Sequence, residues 1–368
     1  MDIDVVAIPR AKSVDEPLNP LYQAFCDVDR ACEIGLVGNG DLVSDPMSMQ
    51  IASVEQKYAN NKFWVAFPEG ERDPSSALGT AFVSYSTSGN THLAEVSINV
   101  HPEARSRGVA KALLVPVTES IQDAGRTSIA TWTEMRPYEG EDGLAPKTGV
   151  GQLDPNAPSV KWVTALGFAL EQCGRRNLLE IASDGDEWWS ELDTRLSADL
   201  ERAGNEYELL QWSGGVPEDL RADMANLHTR MSTDEPNAGM DYEEVLWDEE
   251  RIAHADTRLE QQGWDHATTA VRHAATGELV AYSEVMWQKK NPAAVIQEDT
   301  FVLAGHRGHR LGAITKAVNL KYLREVNPAA LHIYTWNAGE NEYMLAINDE
   351  LGFKVASVEG AWQKRLEK

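Results

Sequence analysis

Cysteine is scarce in this chain, with only Cys26, Cys32 and Cys173 among 368 residues. An odd number cannot all pair, and Cys26 and Cys32 lack the spacing of a redox or zinc motif. A disulfide scaffold is thereby excluded and reduced thiols are expected. Long apolar runs are missing as well. No window approaches the ~18 apolar residues that suggest a membrane span. The opening Met1-Asp2-Ile3-Asp4-Val5-Val6 has no basic region leading into an apolar core, as an export signal would. The expectation is a cytoplasmic protein without membrane attachment. Positive charge is also in short supply, with 33 Lys and Arg against 58 Asp and Glu and a formal net charge of −25. Such a surface repels nucleic acid and draws cations, although solubility alone accounts for the same acidity. His306 and His309 have no third ligand at metal-binding spacing, so no metal is expected.

What the chain has is a repeat of itself. Arg105-Ser106-Arg107-Gly108-Val109-Ala110, then Thr131-Trp132, then Leu166-Gly167-Phe168, is answered by Arg307-Gly308-His309-Arg310-Leu311-Gly312, Thr335-Trp336 and Leu351-Gly352-Phe353. Self-similarity at domain-sized spacing points to tandem duplication rather than a short-repeat solenoid. The length suits two cores of roughly 180 residues. Each copy reads as strand, Gly-bearing turn, helix, strand. Ala94, Val96, Ile98 and Val100 alternate with Glu95, Ser97 and Asn99, and Leu113, Leu114, Val117 and Ile121 make the stripe of a helix that Pro116 should kink. In the second copy Ile296 to Leu303 is the strand, and Leu311, Ile314, Val318, Tyr322 and Val326 mark a helix ending before Pro328. Second strands run through Ile129 to Trp132 and Leu331 to Trp336, so two α/β domains with mixed sheet are expected. Glu187 to Ala203 reads as an amphipathic helix on Trp188, Leu192, Leu196 and Leu200, terminated by Gly204. The expected division is residues 1–183, a linker helix at 184–204, and residues 205–368, with an insertion at 134–154 in the first domain. Long irregular loops of this kind serve as lids or as surface straps.

A strand opening through a Gly-bearing turn into a helix aims backbone N–H groups at one point, which suits phosphate. With Asn156 twelve residues before Phe168 and Asn341 twelve before Phe353, the motif order resembles the GNAT superfamily of acyl-CoA-dependent N-acyltransferases, and the second half looks like the tandem acetyltransferases common in actinobacteria. The resemblance implies a mixed sheet splayed between its fourth and fifth strands in each copy, with acetyl-CoA as cosubstrate in the cleft. It further implies pyrophosphate binding by the turns Arg105 to Ala110 (including Arg107, Gly108 and Val109) and Arg307 to Gly312 (including Gly308, His309, Arg310 and Leu311). Val100, Val302 and Leu303 would offer main-chain groups to the pantetheine arm, and Asn156 and Asn341 would approach the cofactor. Its tandem members also favour the C-terminal copy as the cofactor site.

Acyl transfer to an amine needs a base, because amines are mostly protonated at neutral pH. Glu95, ten residues before Arg105, is the candidate in the first copy. In the second, Gln297 stands at that position; strand alternation puts Asp299 on the face of Gln297 and Glu298 on the other, which makes Asp299 the candidate and Glu298 the fallback. A main-chain N–H near Val100 or Val302 would hold the carbonyl oxygen. Many members of the family carry a tyrosine acid where this chain has Val163 and Asn348, and Arg310 replaces the glycine that Gly108 supplies in the first copy. The function expected is transfer of acetyl from acetyl-CoA to the primary amine of a small molecule, by a monomer or homodimer. A non-catalytic acyl-CoA-binding protein and an acetyltransferase of protein or peptide amines are the alternatives.

Overall fold

The computed structural model describes residues 2–182, 185–234 and 236–366; the expected boundary at 183–184 lies outside them. The first half runs β1 (Ile3–Ala7), α1 (Pro20–Val37), α2 (Pro46–Ala52), β2 (Ala59–Pro68), β3 (Gly79–Ser86), β4 (Leu93–Val100), α3 (Val109–Asp123), β5 (Ser128–Met135), α4 (Pro158–Ala165) and β6 (Ala169–Glu180). Helix α5 (Glu187–Ala203) follows. The second half then repeats the order as β7 (Tyr207–Ser213), α6 (Arg221–Asp234), α7 (Glu249–Gln261), β8 (Trp264–His273), β9 (Leu279–Gln288), β10 (Asn291–Val302), α8 (Leu311–Val326), β11 (His332–Ala338), α9 (Glu342–Leu351) and β12 (Lys354–Arg365).

These elements form two compact units whose segments interleave along the chain. The first unit takes Met1–Arg175, Asn237–Glu243 and Ala356–Lys368, and the second takes Arg176–Pro236 and Glu244–Val355. The division therefore does not follow one cut near residue 204, and α5 lies wholly in the second unit. In the first unit the strand order is β1-β2-β3-β4-β5-β12, with β12 antiparallel to β5 from Val358 opposite Met135 to Arg365 opposite Ser128. The last strand of the chain thus completes the sheet of its first unit. The part of β6 beyond Arg175 enters the second unit, whose order is β6-β11-β10-β9-β8-β7.

Local sequence explains the elements around the site. Helix α3 continues through Pro116 and buries Val109, Leu113, Val117 and Ile121 against Ala94 and Val96 of β4. Asn327 caps the end of α8, before Pro328. Leu311, Ile314, Ala317, Leu320 and Leu323 of α8 share a core with Trp189, Leu192 and Leu196 of α5. Leu200, expected on that buried stripe, is 39% exposed. The insertion is tied down, since Leu144 and Leu153 form a bridge and Leu153 packs fully buried against Trp362 and Leu170.

Candidate active site

Both copies open their sheet at the same place. In the first unit β4 and β5 pair in parallel from Leu93 with Ser128 to Val96 with Thr131. In the second, β10 and β11 pair only over Ala294 to Ile296 and His332 to Tyr334. Beyond those residues the strands diverge and leave a slot. The turns after the two strands match in backbone as well. Ser106 and Gly108 have φ of 62° and 90°, and the equivalent Gly308 and Arg310 have 87° and 63°. Gly108 and Arg310 are the N-caps of α3 and α8. The first amides of each helix have no intrahelical acceptor, and the dipole adds positive potential there. Arg105 Nε donates to Val100 O at 3.4 Å and Arg307 Nε to Val302 O at 3.2 Å, the same brace in each copy.

The copies part company one strand earlier. In the first, β3 and β4 stay in register without interruption from Ser84 with Glu95 to Gly79 with Val100. In the second, Gln297 faces Val285 but Thr300 faces Ser283, so β10 carries one extra residue across Glu298 and Asp299. Such a bulge re-aims side chains. Asp299 is accordingly not on the face of Gln297, as uninterrupted alternation implies. Gln297 Nε2 reaches Ser283 Oγ at 3.1 Å on one face, while Asp299 Oδ2 accepts from Tyr282 Oη at 2.8 Å and lies 3.6 Å from His228 Nδ1 on the other.

That other face gathers carboxyl groups with little compensating charge. Glu284 accepts from Thr268 Oγ1 at 3.0 Å, and burial, with Asp299 nearby, pushes it up to about 7. Glu298 keeps an exposed surface, yet desolvation of its carboxyl, with Asp299 and Glu284 close by, pushes it up to about 7 as well. Asp256 of α7 accepts from Val216 N at 2.9 Å and is raised by burial. His228 stacks on Trp247 with ring centroids 4.7 Å apart, and burial lowers its pKa despite Asp299. Tyr282 is driven upward by burial, then by Asp299.

No family model matches the chain, and no curated protein matches it. Solved structures do. A tandem GNAT protein from the clavulanic acid biosynthesis pathway superposes with a TM-score of 0.71 at 20% identity, over 100% of this chain and 99% of that one. The fold is that of a tandem GNAT protein. A GCN5-related N-acetyltransferase from Sphaerobacter thermophilus gives a TM-score of 0.58 at 14% identity, over 99% and 96%.

Within this GNAT fold the expected site residues fall in different settings. Glu95 is on the face of β4 turned away from α3, its carboxyl raised by burial and without a hydrogen-bond partner among the described residues. Val100 O, at the far end of β4, is engaged both by Arg105 and by Cys32 Sγ at 3.4 Å. Arg107 is exposed, Val109 is buried and Ala110 half-buried at the start of α3. Asn156 is exposed; Asp154 accepts from its backbone N–H at 2.8 Å. Asn341 caps α9, its Oδ1 accepting from Met344 N at 3.3 Å. His309 lies against Tyr207, ring centroids 5.6 Å apart, and no group of three potential metal ligands occurs among the described residues. Leu311 and Gly312 are buried at the head of α8, and Leu303 N donates to Val280 O at 2.9 Å. Arg310 turns away from the helix head to Asp199 (Nε to Oδ1, 2.8 Å) and Glu350 (Nη2 to Oε2, 2.5 Å).

Asp241 and Glu243 belong to the first unit, 3.6 and 3.7 Å from the two ring nitrogens of His92, with Met240 buried on Leu93, Ala130 and Ala361. Sequence reading missed Asp29, which accepts from Asn99 Nδ2 at 3.0 Å and Thr80 Oγ1 at 3.3 Å and is pushed by burial up to about 6. Its signal was a carboxylate one turn from Phe25 and Cys26, on the apolar stripe of α1. Tyr282, Glu284 and His228 carried no comparable mark, because the bulge that assembles them is set by pairing with β9.

Proposed function

We propose that this protein is an acyl-CoA-dependent N-acetyltransferase that moves acetyl from acetyl-CoA to the primary amine of a small molecule, with the second copy as the working site. The observation that carries the reading is the bulge at Glu298 and Asp299, which sets carboxyl groups at the mouth of the slot between β10 and β11. The residues present fit the cosubstrate. Left-handed Gly308 and Arg310 and the free amides at the head of α8 form an anion cradle for pyrophosphate. Arg310 leaves that cradle open by pairing with Asp199 and Glu350. Beside Gly312 an added Cβ would lie 3.4 to 3.8 Å from Ile347, Val302 and Thr300, so a large side chain there would intrude on the slot. When bound, acetyl-CoA supplies the activated acyl carbon.

The chain supplies the rest. Glu284, Glu298 and Asp299 favour entry of a protonated amine by their shared negative charge. Glu298, its carboxyl raised to about 7 and without a hydrogen-bond partner among the described residues, then takes the ammonium proton directly or through a water. Asp299 is held by Tyr282 and positions the amine. In the first copy the strand lacks the bulge and Cys32 competes for Val100 O, so that copy serves as a scaffold.

Calorimetric titration of the whole chain with acetyl-CoA tests this. One equivalent is expected, lost in Gly312→Trp and kept in Gly108→Trp. Absence of binding to the wild type overturns the acyl-CoA reading, and loss only in Gly108→Trp moves the site to the first copy. Binding without turnover across a broad amine panel favours a non-catalytic acyl-CoA-binding protein.

A further inference from the structure

Lys316 of α8 is a buried amine with no carboxylate beside it. It is 1% exposed, its Nζ donates to Asn348 Oδ1 at 2.6 Å, and its other neighbours are Met344 Sδ at 3.8 Å and the Phe353 ring, 5.4 Å to the centroid. Burial lowers its pKa to about 7, and no charged group on α8, α9 or β11 contributes to that shift. Burying a cation without a counter-charge is unfavourable, so packing alone does not explain it.

The lysine fixes the direction of a short chain of hydrogen bonds. When protonated, Nζ has donors only, and the observed contact to Asn348 Oδ1 turns the amide nitrogen of Asn348 away from it. That nitrogen donates to Asn337 Oδ1 at 2.6 Å. Asn337 Nδ2 then has no acceptor among the described residues. Asn337 lies on β11 past the last pair with β10, on the wall of the slot. Successive donors in one direction polarise each other, and a charge at the head of the chain strengthens the last member. The fold does not require the arrangement: at the equivalent positions the first copy has Leu114, Val163 and Thr133, and Thr133 accepts from Trp362 Nε1.

We propose that Asn337 Nδ2 is the donor that stabilises the sulfur of the acyl-CoA thioester as it departs, with Lys316 and Asn348 as the positioning residues that orient and polarise it. The assignment rests on the acyl-CoA reading of the site. Glu298 first passes the ammonium proton it has taken to solvent; as the neutral amine nitrogen forms the new C–N bond, the C–S bond breaks with its electron pair on sulfur, and the second proton, shed by that nitrogen, goes to the freed Glu298 carboxylate. CoA leaves as the thiolate, which solvent then protonates. Hydrogen bonds to an ion are roughly twice as strong as neutral ones, so the donor favours the departing sulfur over the thioester.

The test is a pH titration of the thiolate absorbance of CoA bound to the full chain, alongside calorimetry with CoA. In the wild type the bound thiol is expected to titrate at least about one pKa unit, tenfold in acidity, below free CoA. Lys316→Met and Asn337→Leu should each abolish that shift; the loss of affinity should be about tenfold for CoA thiolate, measured well above the thiol pKa, and smaller at pH 6, where the thiol is protonated. A merely structural lysine would leave the bound thiol unmoved when replaced, and Asn337→Leu preserves the test if Lys316→Met does not fold. CoA binding with a thiol that titrates as it does free in solution overturns this assignment alone. Failure of CoA to bind overturns the acyl-CoA reading and this assignment together.

Discussion

Arg310 holds a left-handed backbone that Gly108 adopts freely in the other copy. A side chain there costs on the order of 1 kcal/mol, and the fork to Asp199 and Glu350 offsets that strain. The two effects separate by mutation. Arg310→Ala loses the fork and keeps the strain, whereas Arg310→Gly loses both. The expected stability order in urea is wild type, then Gly, then Ala, with the two variants about 1 kcal/mol apart; an Ala variant equal to Gly would mean that the turn relaxes. The motif Arg307 to Gly312 was legible in the sequence because a turn's glycines and its arginine repeat at fixed spacing. Where Arg310 points was not, since Asp199 and Glu350 lie 111 and 40 residues away in sequence.

At the scale of elements, strands and helices followed their patterns closely. Period-two alternation marked β4, and α5 spans Glu187–Ala203 as its stripe and terminal glycine indicated. The bulge in β10 escaped notice, because its cause lies in the register with β9 and not in residues 296–303 themselves. Alternation therefore assigned Asp299 to the wrong face. Gly79 shows a comparable nonlocal demand: a Cβ there would come within 2.7 Å of Val109 Cγ1 and 2.8 Å of Asn99 O, so β3 and the head of α3 touch only through hydrogen. Gly79→Ala should destabilise the first unit by about 1–3 kcal/mol, the usual cost of overpacking. If the second copy binds acetyl-CoA, the same variant leaves the calorimetric stoichiometry unchanged; both are read by titrating the purified variant before and after thermal melting.

For the molecule as a whole, the slot's ionisable groups predict an unusual pH profile of stability. Glu284 and Glu298, at about 7 when folded, hold protons that the unfolded chain releases near 4.5, so their contribution is full below that value and is lost as pH rises to 7. Lys316 has the opposite sign. Its folded pKa of about 7 lies below the ordinary 10.5, so its contribution is full above that ordinary value and is lost as pH falls to 7. Melting temperature is expected to dip near pH 7 between higher values at pH 5 and pH 9. Lys316→Met should remove the alkaline rise and melt higher than wild type at neutrality, and a flat wild-type profile would count against these burials.

The duplication and its α/β class were readable from two sets of landmarks, but the path of β12 was not, because a strand's partner is decided by the edge it meets. A chain ending at Gly204 should accordingly fail to form the first unit, showing rapid amide exchange through β5, and a peptide of residues 354–366 added in trans should slow it. Native-like protection in the truncated chain alone would refute that dependence. During synthesis the same interleaving imposes a schedule. Residues up to 175 emerge early, but their sheet lacks its completing strand until roughly 180 more have been added, a wait of about 10–40 s at ribosomal rates. The first unit, though most of it precedes the second in the chain, finishes only once β12 has emerged, and for that interval the open edge of β5 is the segment most in need of a chaperone.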